Sequence, residues 1–108
     1  MQITFNIKTL DSKPKAKSTL IIDLLKKRGI SGSLAKEMFC QYSSEYLIRK
    51  NWLLDYYHEK GLKISDNRRW LLACINNDYS EPEAFHDWFK FKRKQIMQGN
   101  NDELKELI

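Results

Sequence analysis

A chain of 108 residues has the size of one ordinary domain and can bury a core without cross-links. Four glycines and two prolines are too few for the turns of a β-sandwich or barrel, while 42% hydrophobic and 12% aromatic residues argue against a wholly disordered chain. The 19 Lys and Arg outnumber 14 Asp and Glu for a formal charge of +5 and a pI near 9.2, which suits an acidic partner but also simple solubility.

In chain order, residues 1–10 alternate Ile3, Phe5 and Ile7 against Thr4, Asn6 and Lys8, the period-2 pattern of a short strand. A polar linker with Lys13, Pro14, Lys15 and Lys17 follows. Ser18 is placed to cap a first helix carrying Leu20, Ile21, Leu24 and Leu25, with Gly29 as its stop. Lys26, Lys27 and Arg28 fall in its last turn, where cations complement the helix dipole. Ser31 or Ser33 opens a second helix with Leu34, Ala35, Met38, Phe39 and Tyr42 along one side. Ser43 and Ser44 open the longest element, which runs to Gly61 with Leu47, Ile48, Trp52, Leu53 and Tyr56 as a wide apolar face.

Asp66 reads as the next N-cap. The helix after it, with Trp70, Leu71, Cys74 and Ile75 on one face, is the most apolar element and is expected at the centre. Ser80 and Glu83 stand three apart as a capping box, with Pro82 inside the first turn of the last long helix, which Gly99 ends. The expected fold class is therefore all-α, a small bundle of about five helices with a short N-terminal strand or arm. Residues 1–17 form the arm and basic linker, 18–99 the helical domain, and 100–108 a short acidic tail.

Motifs that carry chemistry are missing from the sequence. His58 and His86 are far apart and neither stands at metal-ligand spacing. The stretch "GISG" is too short for a phosphate loop and lacks its lysine and hydroxyl. Tyr56 and Tyr57 lack the paired histidines that a DNA-nicking tyrosine needs for its metal, and read as core-edge residues with wet hydroxyls. Glu81 and Glu83 are accounted for by helix capping. Cys40 and Cys74 read as small buried thiols of a reducing compartment. With no membrane-length apolar run and no signal-peptide pattern, the expectation is a cytoplasmic protein without enzyme activity, cofactor, metal or membrane partner.

What remains is "DWFKFKRK", residues 87–94. On a helical wheel at roughly 100° per residue, Phe85, Trp88, Phe89, Phe91 and Ile96 share one broad side. His86, Lys90, Arg93 and Lys94 share the other, and Lys92 must snorkel from within the apolar side. The rings thus read as core or edge. The cations read either as a phosphate-binding face, Lys90, Lys92, Arg93 and Lys94 with Arg68 and Arg69, or as a solvated face that keeps the domain soluble.

The order "LLKKRGIS", Ala35, Tyr42, a long helix and then "DNRRWLLACINNDYSEPEAF" resembles the C-terminal helical module of plasmid replication initiator proteins over about residues 20–88. Asp66 and Asn67 stand where that family has Asn and Pro, and Trp70, Leu71, Ala73, Ile75, Asp78, Tyr79, Pro82 and Phe85 fit its pattern. The resemblance implies a DNA-replication or DNA-binding setting and no catalytic step. Such initiators carry a winged-helix region ahead of this module, for which 108 residues leave no room, so an excised module or a stand-alone relative is expected. Arg68 and Arg69 depart from the family's small residues at a helix start, where positive charge opposes the dipole.

The leading expectation is a nucleic-acid-binding domain, for DNA, in plasmid or phage replication or its control. The alternative is a protein–protein module that pairs with a second copy or a partner through residues 1–17, anchored by exposed aromatics such as Trp52 or Trp88.

Overall fold

The computed structural model describes residues 16–107, and these are helical with short connections. Six helices follow one another: α1 (Lys17–Lys27), α2 (Gly32–Gln41), α3 (Ser44–Glu59), α4 (Asn67–Asn76), α5 (Glu83–Gln98) and α6 (Asp102–Leu107). The expected strand or arm lies outside the described residues.

Local chemistry sets most of the boundaries. Ser31, Ser43 and Asp66 each accept a hydrogen bond from the backbone N–H three residues on, at 3.3, 3.2 and 3.0 Å, and so cap α2, α3 and α4. Gly29 and Gly61 follow α1 and α3 with φ of +94° and +88°, a region in which a side chain would be strained. The Gly29 and Ile30 amides return to the carbonyls of Lys26 and Leu25, closing the end of α1.

Two expected starts are corrected. α1 begins at Lys17 behind Ala16, and Ser18 lies inside its first turn without capping it. α5 begins at Glu83, with Pro82 as its N-cap and no side-chain cap, so the Ser80–Glu83 capping box does not form. Pro82 has extended backbone (ψ 152°) and stands just outside the helix. The acidic tail, for which a short further turn or a fray was expected, forms a short helix, and α6 packs on α1 and α5 with Leu107 buried. Among the described residues there are therefore six helices, where about five were expected.

The central element is α3, not α4. It packs against α1, α4 and α5, and eight of its residues are buried, against three of α4. The expected face of Leu47, Ile48, Trp52, Leu53 and Tyr56 is fully buried, joined by Lys50, Asn51 and Leu54. A helix lined by neighbours on three sides needs uncharged or neutralised residues nearly all round, whereas α4, α1 and α2 need only one apolar stripe.

Three stripes on α3 fix its neighbours. Arg49, Trp52, Tyr56 and Glu59 face α5, where the Trp52–Phe89 and Tyr56–Phe85 ring pairs lie 5.0 and 5.5 Å apart and Trp88 Nε1 donates to Glu59 Oε1 at 3.3 Å. Tyr46, Lys50 and Tyr57 face α4 and the loop behind it. Asn51 and Asp55 face Arg28 at the end of α1. Burial of Leu53, Leu54, Leu71 and Phe85 at 0% exposure joins these stripes into one core. At about 25 cal/mol per Å², each such side chain contributes on the order of 2 kcal/mol.

Candidate nucleic-acid interface

Helix α5 presents two unlike faces. Its inner face buries Phe85 and Phe89 against α3 and leaves Trp88 and Ile96 half-buried. Trp52, expected as an exposed anchor for a partner, is only 5% exposed, and Trp88 is packed edge-on against Tyr56 at 5.7 Å. Neither stands on the surface as a lone ring. Tyr56 is likewise buried, at 6% exposure, rather than a core-edge residue.

The outer face carries His86, Lys90, Arg93 and Lys94, all exposed. Lys90 and Lys94 have no ion-pair or hydrogen-bond partner among the described residues. Arg93 borders a cleft with Lys17, Glu45 and Leu107. Lys92 is half-buried with its Nζ 5.4 Å from the Trp88 ring, so its stem covers the aromatic cluster while its ammonium reaches water, as a snorkelling lysine does. Phe91 departs from the wheel. It was expected on the apolar side and is instead 62% exposed, a bare ring between the levels of Lys90 and Lys94.

Arg68 and Arg69 are exposed at the start of α4, away from this face. The Arg68 stem lies against Gly29 at the end of α1, close enough that a Cβ on Gly29 would meet it at 3.5 Å. Since α4 and α5 occupy different stripes of α3, the six expected contact residues fall into two groups, with Lys90, Lys92, Arg93 and Lys94 together and the arginine pair on another side.

A third set of cations is engaged internally; Arg49 and Lys50 had no signal in the sequence, and Arg28 was expected only to complement the dipole of α1. Lys50 is only 3% exposed. Its ammonium donates to the Tyr79 carbonyl at 2.6 Å and pairs with Asp78 at 3.0 Å and Glu81 at 3.4 Å. The Arg49 guanidinium donates to Glu81 Oε1 at 2.6 Å and lies over the Phe89 ring at 4.6 Å. The same guanidinium stands 2.9 Å from His86 Nδ1, and because Arg can only donate, that nitrogen accepts. Arg28 pairs with Asp55 at 2.7 Å and donates to Asn51 at 2.9 Å. Glu81 therefore serves tertiary structure rather than the capping role expected of it.

Burial alone would lower the Lys50 pKa, but the hydrogen bond it donates to Asp78 and the charges of Glu81 and Asp78 outweigh it and hold the value above the ordinary one. Burial alone would raise that of Glu81, but Arg49 and Lys50 hold it below the ordinary range. Asp78 takes a positive φ of 47°, the turn that brings its carboxylate and the following carbonyl back onto Lys50.

The cysteines differ from one another. Cys74 is buried, with its thiol pushed up to about 11 chiefly by desolvation, while Cys40 is exposed, contrary to expectation. The histidines are held by hydrogen bonds, His58 to Asn67 at 2.8 Å and His86 to Arg49. Among the described residues, no helix is long and apolar enough to cross a membrane. Compared with protein-family models, with curated proteins and with solved structures, the chain matches none.

Proposed function

We propose that this chain is a non-enzymatic domain that binds nucleic acid, in the first place DNA, through phosphate contacts from the outer face of α5. The observation that carries this reading is the exposed row Lys90, Arg93, Lys94 on a helix whose opposite face is locked into the core. Residues 90–94 span about 6 Å of helix axis. Duplex DNA presents three or four phosphate charges over that length, at about 1.7 Å each. The inner face of the helix is locked into the core, so its backbone needs no rearrangement to bring Lys90 and Lys94 to a phosphate row. The contacts are sequence-independent, because phosphates carry no base identity.

Phe91 adds a ring on which a sugar or an unstacked base can rest. Arg68 and Arg69 extend the basic surface on another side of the bundle and are secondary contacts. The resemblance to initiator modules supports a setting in plasmid or phage replication or its control. A cytoplasmic location goes with that setting.

The test is binding to labelled single- and double-stranded oligonucleotides at low and at physiological salt, repeated with Lys90, Arg93 and Lys94 all changed to Ala. The expected result is binding that weakens steeply with salt and drops in the triple variant while the helical content is unchanged. Unchanged affinity in the triple variant would refute the site, and no binding at low salt would refute the function.

A further inference from the structure

The connection after α3, the first turns of α4 and Tyr79 in the α4–α5 connection enclose an open groove of about 530 Å³. Its apolar lining is Leu62, Ile64, Trp70, Ala73 and Tyr79. Four large hydrophobic side chains are exposed among the described residues. Two of them, Leu62 at 47% and Tyr79 at 37%, stand at this groove, so the exposure is concentrated and not scattered.

The rim is basic. Lys63 and Arg69 border the groove, and its one carboxylate, Asp66, already accepts the Arg69 backbone N–H at 3.0 Å as the cap of α4. Trp, Tyr and Arg are the residue types that dominate binding hot spots, and this groove holds one of each. The Trp70 ring is fixed before any partner arrives. It meets Tyr57 and Tyr79 edge-on at 5.8 and 5.6 Å, which limits the side-chain entropy lost on binding.

We infer that this groove docks a segment of a partner protein that presents an aliphatic or aromatic side chain flanked by carboxylates. The apolar anchor would cover Leu62, Trp70 and Tyr79, and the carboxylates would meet Lys63 and Arg69. A nucleobase fits less well, because Trp70 and Tyr79 stand at 79° to one another and offer no pair of parallel faces, while the rest of the apolar lining is aliphatic. A second copy of the chain fits less well too, because its net charge of +5 opposes a basic rim. This inference is independent of the α5 face that carries the nucleic-acid reading, and shares with that reading only Arg69, one of its secondary contacts.

The experiment is selection of a random-peptide phage library on the full chain, followed by fluorescence-polarisation affinities of the enriched peptides. Leu62→Asp and Arg69→Glu are the test variants. Leu62 is exposed, and a carboxylate at position 69 suits the start of a helix, so both variants should keep the fold, as circular dichroism will check. The expected result is enrichment of peptides with a Leu, Phe or Trp anchor beside Asp or Glu. Their affinity should fall about tenfold or more in Leu62→Asp, fall again in Arg69→Glu, and stay unchanged in the α5 triple variant. Any of four results would overturn the inference. These are no enrichment, enrichment of basic peptides, affinities unaffected by both variants, or loss in Leu62→Asp of single-stranded oligonucleotide binding, which would make the groove a base-stacking site.

Discussion

The cations of α3 and those of α5 lie on packed, neighbouring helices and are used in opposite ways. Arg49 and Lys50 project into the bundle, where Glu81, Asp78 and the Tyr79 carbonyl meet them at 2.6 to 3.4 Å. Lys90 and Lys94 project outward with no such partner among the described residues. The first set fastens the α4–α5 connection to the central helix. The second leaves its charge directed at solvent, where a partner can meet it. A net charge of +5 therefore says little by itself, because what matters is which cations the fold has already neutralised.

The largest change that sharpens this contrast is Glu81→Leu. It leaves Lys50 nearly dry with only the 77%-exposed Asp78 as counter-ion, and it frees Arg49 from its carboxylate. Loss of about 3 kcal/mol of stability is expected, as for other broken buried pairs. Chemical denaturation measures it, and oligonucleotide affinity per folded molecule should not change. The reverse pattern is expected of Lys90→Glu with Lys94→Glu. Affinity should fall by about two orders of magnitude at low salt, since each lost phosphate contact also removes a counterion-release contribution. Stability should stay within about 0.5 kcal/mol.

A smaller effect follows from pH. The folded-state pKa of Glu81 is lowered, so its contribution is fully present above its ordinary value of 4.5 and is lost as pH falls through the lowered one. That of Lys50 is raised, so its contribution is present below 10.5 and is lost as pH rises through the raised value. As far as these two groups go, melting temperature should be flat between the limits and fall beyond each, and the raised Cys74 thiol starts the alkaline fall earlier, above its ordinary value of 9.0. Glu81→Gln should flatten the acid limb, and an unchanged limb would detach Glu81 from the network. Smallest of all, Lys92→Ala should cost about 0.5 to 1 kcal/mol through its exposed cation–π contact with Trp88.

Thiol labelling separates core from surface in the same manner. Cys40 should react at once, and Cys74 should react only when the protein unfolds, because its burial disfavours the thiolate.

The legible part of this fold is the part determined within a turn or two of chain. Ser31, Ser43 and Asp66 cap helices in the sequence and in the structure alike, because a hydroxyl or carboxylate three residues from a bare N–H needs no tertiary help. Gly29, Gly61 and Gly99 end helices for similarly local reasons. The Ser80–Glu83 box failed where a distant partner intervened. Glu81 is drawn to Arg49, 32 residues away, and the chain enters α5 through Pro82 instead.

Lys50 was illegible for the same reason. On its own helix it reads as a wet lysine, and its partners lie about 30 residues downstream. The apolar content of α4 suggested a central place, but centrality belongs to the helix with neighbours on three sides, which no count of apolar residues reveals. In the candidate site, amphipathicity located the basic row of α5 and the buried Phe85 and Phe89 correctly. It misplaced Phe91, whose edge position on the wheel is 62% exposed because α3, the helix that covers the inner face, does not reach it.

The most direct test of the central claim is a residue-by-residue map of oligonucleotide binding by amide chemical-shift changes on the isotope-labelled chain at low salt. The account predicts that the largest changes run along Lys90, Phe91, Arg93 and Lys94, while the amides around Lys50 and Glu81 stay still. Changes centred on the Leu62–Tyr79 groove, or no changes at saturating oligonucleotide, would contradict it.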